Sequence, residues 1–135
     1  MLRSIRLKEL GFECAHAAIL PWKLSNGNEG QDKDWRRADV TRKKAEQLAR
    51  AFRRRPMEEL SLVTVTRILG RGERQWDCDS ILRGNAKQLI DALVSAGWFY
   101  DDSPQWISGC LGFQDSTRRE IGPATEIGIW IFKGE

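Results

Sequence analysis

At 135 residues, 41% apolar and 30% charged, the chain has the makeup of one soluble domain with a single core, which excludes a disordered polypeptide. Its longest apolar run, Ala17 to Trp22, is far too short for a membrane span, and the N-terminus lacks the apolar stretch of a secretory signal, so a cytoplasmic location is expected. The net charge of +3 is unevenly placed: ten basic residues accompany four acidic ones between Gln31 and Arg55, a local +6 that suits a polyanion-facing surface beside an acidic site.

Phe12 to Leu20 reads as a strand ended by Pro21, and Ser25 to Gly30 as an exposed loop. Asp39 or Thr41 can cap a helix from about Val40 to Arg54, with Ala45, Leu48, Ala49 and Phe52 toward the core and Arg42, Lys43, Arg50, Arg53 and Arg54 on the remaining face. Leu60 to Leu69, rich in Val, Thr and Ile, predicts a strand stopped by Gly70 and Gly72. Asp79 or Ser80 can cap a second helix, Ile81 to Ala96, with a stripe of Leu82, Ala86, Leu89, Ile90, Leu93 and Val94 and with Gly97 at its C′ position. Trp106 to Phe113 and Glu126 to Phe132 predict two more strands. The expected fold is α+β, a small mixed sheet of about four strands packed with two main helices, in a single domain spanning residues 1–135.

Cys14, Cys78 and Cys110 are widely spaced and the chain has one histidine, His16, so a structural zinc site is not expected and any metal must be a hard one held by oxygen. Asp77 and Asp79 stand two residues apart at a strand end, where extended backbone turns both to one side. Asp101 and Asp102 lie beyond the far end of the following helix, before the turn-forming Ser103-Pro104. Carboxylates gathered together raise one another's pKa unless a cation compensates, and Mg²⁺ or Mn²⁺ is the natural one. The alternative reading of both motifs is ordinary helix capping and turn formation.

Asp77-x-Asp79, then a helix holding Lys87 and Asp91-Ala92-Leu93, then Ala96-Gly97 and Asp101-Asp102, resembles the RusA family of Holliday junction resolvases. Upstream, Leu20-Pro21-Trp22 through Asn28 is similar to the loop that precedes the first helix in that family, and Ser80 stands where the family has asparagine. The resemblance implies a homodimeric, Mg²⁺- or Mn²⁺-dependent endodeoxyribonuclease that cuts four-way DNA junctions in recombination or repair, in a host or a prophage, without an organic cofactor or a membrane partner. It places the essential carboxylates at Asp77, Asp79 and Asp102, with Asp101 as neighbour, and the assisting lysine at Lys87, or else its role at Arg83. Arg36, Arg37, Arg42, Lys43, Arg50, Arg53, Arg54 and Arg83 are then the expected DNA contacts. Two alternatives stay open, a catalytically silent DNA-binding protein of this fold and a nuclease for flaps or other branched DNA.

Overall fold

The computed structural model describes residues 2–24, 34–52, 55–77, 80–82 and 85–134. Seven elements follow in order: α1 (Leu2–Glu9), β1 (Phe12–Leu20), α2 (Asp34–Ala51), β2 (Ser61–Ile68), α3 (Ala86–Ser95), β3 (Ile107–Asp115) and β4 (Ala124–Phe132). The strands form one mixed sheet in the order β1-β4-β2-β3. Strand β4 is antiparallel to both neighbours, whereas β2 and β3 run parallel. A parallel pair needs a crossover, and α3 supplies it.

One face of the sheet carries the core. Val63 and Val65 of β2 stand opposite Ile129 and Ile127 of β4, and with Ala18 and Leu20 of β1 they join Leu48 of α2 and Leu89, Ala92 and Leu93 of α3 in a single buried cluster. Helix α2 lies against α3. Strand β2 is central and buried on both sides; on the face away from this cluster Thr64 accepts a hydrogen bond from Trp130 Nε1 at 2.9 Å. Among the described residues no helix is long and apolar enough to cross a membrane.

Several boundaries differ from the sequence expectation. Helix α1 was not anticipated; it is short and charged, Leu7 is buried, and it stops at Gly11, whose φ of +94° leaves the helical region. Helix α2 starts at Asp34, so Asp39 and Thr41 lie inside it and do not cap it. Asp39 instead pairs with Arg42 and Lys43 at 2.7 and 3.3 Å, the neighbours one turn on. Ala49 is exposed, not core-facing. Helix α3 starts at Ala86, after a Gly84 that disfavours helix, and its N-cap residue is Asn85; Ser80 is buried in a preceding turn. Its other end is as expected: Gly97 has φ +87°, its N–H donates to Val94 O at 3.0 Å, and the Trp98 N–H donates to Leu93 O at 2.9 Å. This paired closure needs a left-handed residue, which glycine adopts without a Cβ clash.

Candidate functional site

A cavity of about 330 Å³ opens between α3 and the edge strand β3. Lys87, Ile90 and Asp91 line it from the helix, Gly109 and Cys110 from the strand, and Asp102 from the connection between them. Lys87 and Asp91 share a helix face because they are four residues apart. Lys87 and Asp102 are exposed and Asp91 is half-buried, so a charged ligand can reach all three. Burial pushes the Cys110 thiol up to about 11, which leaves it protonated near neutral pH and a poor ligand beside the carboxylates.

The two members of the aspartate pair point to different work. Asp101 Oδ1 accepts the Ser103 N–H at 2.8 Å, and hydrogen bonds from the Ser103 side chain and backbone hold its carboxyl below the usual range. It is a turn residue, whereas Asp102 lines the cavity. Asp91 is the lining carboxylate that the sequence reading did not place in the site, although its spacing from Lys87 was the available signal.

Asp77 is exposed and does not line this cavity. The preceding Trp76 is fastened to Gln114 near the far end of β3: its N–H donates to Gln114 Oε1 and its carbonyl accepts from Gln114 Nε2, both at 2.8 Å. Gln114 is four residues beyond Cys110, the nearest lining residue of β3, about 13 Å along an extended strand. Asp77 O then accepts the Ser80 N–H at 3.0 Å, and Ile81 and Leu82 settle directly on Gly112, where a Cβ would stand 2.9 Å from Ile81 Cγ2. Glycine at that point is what lets Ile81 and Leu82 lie on the sheet. Asp79, Arg83, Arg53 and Arg54 lie outside the described residues. Among those described, no three His, Cys, Asp or Glu side chains come together as a metal-holding group.

Of the expected DNA contacts on α2, Arg36 and Arg37 belong to its first turn, while Arg42, Lys43 and Arg50 are exposed. Lys44, on the same helix, sits 5.2 Å over the Trp22 ring, and burial lowers its pKa. As for a cation, Asp91 and Asp102 offer hard oxygen donors at one cavity, which fits Mg²⁺, an ion commonly held by one or two carboxylates, waters and substrate phosphates. No protein-family model matches the chain, and no curated protein matches it.

Proposed function

We propose that this protein is a divalent-metal-dependent endodeoxyribonuclease for branched DNA, with four-way junctions as its substrate. The observation that carries the reading is the meeting of Lys87, Asp91 and Asp102 at one solvent-open cavity beside an edge strand, in a chain whose motif order resembles the RusA resolvases. Asp102 and Asp91 would hold Mg²⁺ or Mn²⁺, and the ion, when bound, polarises a phosphodiester and lowers the pKa of a water. Lys87 faces the same space and offsets charge that builds on the scissile phosphate. The resemblance also counts Asp77 and Asp79 among the essential carboxylates, of which Asp77 lies outside this cavity, and Asp101 supports the turn that presents Asp102. The basic face of α2 would hold junction arms through their phosphates, and a two-fold homodimer would match the two cuts that a junction requires. The distance of Trp76 from the cavity along β3 favours one second reading, a protein of this fold that binds branched DNA without cutting it.

Incubation of the purified chain with labelled four-way junction, flap and linear duplex, with and without Mg²⁺ or Mn²⁺, separates these. Metal-dependent cutting of the junction is expected, with a loss of at least about 100-fold in Asp102→Asn and a smaller loss in Asp101→Asn. Junction binding without cleavage under any metal would establish the silent reading instead. Equal cutting of linear duplex would remove the preference for branched DNA.

A further inference from the structure

We propose that the loop from Gly70 to Gln75 is a second DNA-contacting surface, a rigid ridge whose Arg71 and Arg74 hold backbone phosphates of the bound branched DNA; this rests on the nuclease reading above. The loop sorts its charges by side. Its one acid, Glu73, is turned inward: Oε1 accepts the Gly70 N–H at 2.6 Å, and Oε2 lies 3.6 Å from Nη2 of Arg67, a side chain only 6% exposed. Arg71 and Arg74 are exposed, and neither side chain takes part in an ion pair or hydrogen bond among the described residues. The outward side of the loop is therefore cationic although the segment also contains a carboxylate.

The loop is held from both flanks. Arg67 Nη1 donates to Arg74 O at 2.9 Å and its guanidinium lies 3.7 Å from the Trp76 ring centroid, while Arg119 Nη1 donates to Gly70 O at 2.7 Å and Glu73 O at 2.8 Å. Burying an Arg–Glu pair brings a desolvation penalty that often exceeds its Coulombic gain, so its contribution here is better sought in conformational definition than in stability. A loop already held in one shape loses little entropy on binding, and arginine makes paired hydrogen bonds to phosphate oxygens. Arg74 precedes by three residues the exposed Asp77, so the two cations and that carboxylate belong to one short stretch of exposed chain. Such contacts position a nucleic acid without reading its sequence.

The test is fluorescence anisotropy of the full chain with a labelled four-way junction in EDTA, where binding is read without cleavage, over a series of salt concentrations. Each phosphate contact contributes about 0.9 to the slope of log K against log salt, so Arg71→Gln/Arg74→Gln should lower that slope by about 1.8, with an unchanged thermal melt. An unchanged slope in the folded double variant overturns the ridge and leaves the nuclease reading intact. Failure of the unmodified chain to bind the junction overturns both.

Discussion

Asp115, the last residue of β3, should make the protein acid-sensitive in a defined window. Its side chain is 5% exposed, its Oδ1 accepts the Thr117 N–H at 2.7 Å and the Thr117 hydroxyl at 2.5 Å, and its Oδ2 accepts Arg118 Nε at 2.8 Å. Burial works to raise this carboxyl, but the bonds from Thr117 and Arg118 prevail and hold it at about 2, against an ordinary 3.8. Because the folded state binds the proton less readily than the unfolded one, the stabilisation is fully present above about pH 4 and fades as pH falls toward 2. The difference is worth about 2 kcal/mol. With an unfolding entropy of about 0.28 kcal/mol/K for a chain of this length, that corresponds to roughly 7 °C in Tm. Urea unfolding of the native chain and Asp115→Asn between pH 2 and 7 measures it, and the native chain should lose about 2 kcal/mol more than the variant between about pH 4 and pH 2. Glu126 also binds Arg118, at 2.9 Å, so the substitution leaves that guanidinium partnered. Parallel curves through this interval would refute the assignment of the low pKa to Asp115.

Gly112→Ala should cost about 1 to 3 kcal/mol in urea unfolding, since the new methyl would press on the buried Ile81 and on Leu82 Cγ at 3.1 Å; unchanged stability would mean that this segment is not seated on β3. Cys110, with its thiol pushed up to about 11, should be alkylated by iodoacetamide at pH 8 about 100-fold more slowly in the native protein than in urea, as read by peptide mass spectrometry. Equal rates would show that the β3 wall of the cavity does not bury the sulfur.

Much of the secondary structure was legible in the residues because periodicity is a short-range signal. Phe12 to Leu20 is a strand with the expected bounds, the alternation of Ile127 and Ile129 marks the core face of β4, and Gly97 closes α3. The start of α3 was less legible, since the stripe from Leu82 continues through a turn whose geometry is set by contact with Gly112. The basic face of α2 was legible as exposed, which holds for Arg42 and Arg50, whereas the buried guanidinium of Arg67, made tolerable by Glu73 and Trp76, left no signal in the local pattern. The sequence by itself determined the α+β class, the apolar faces of the main elements and the types of groups available to a site. Only the tertiary structure decided that β2 and β3 pair in parallel, that Asp102 faces the cavity while Asp101 binds Ser103, and that Asp91 joins Lys87 there. Those facts depend on backbone ladders and packing between segments distant in the chain, and local residue patterns carry no record of which distant partner each segment will meet.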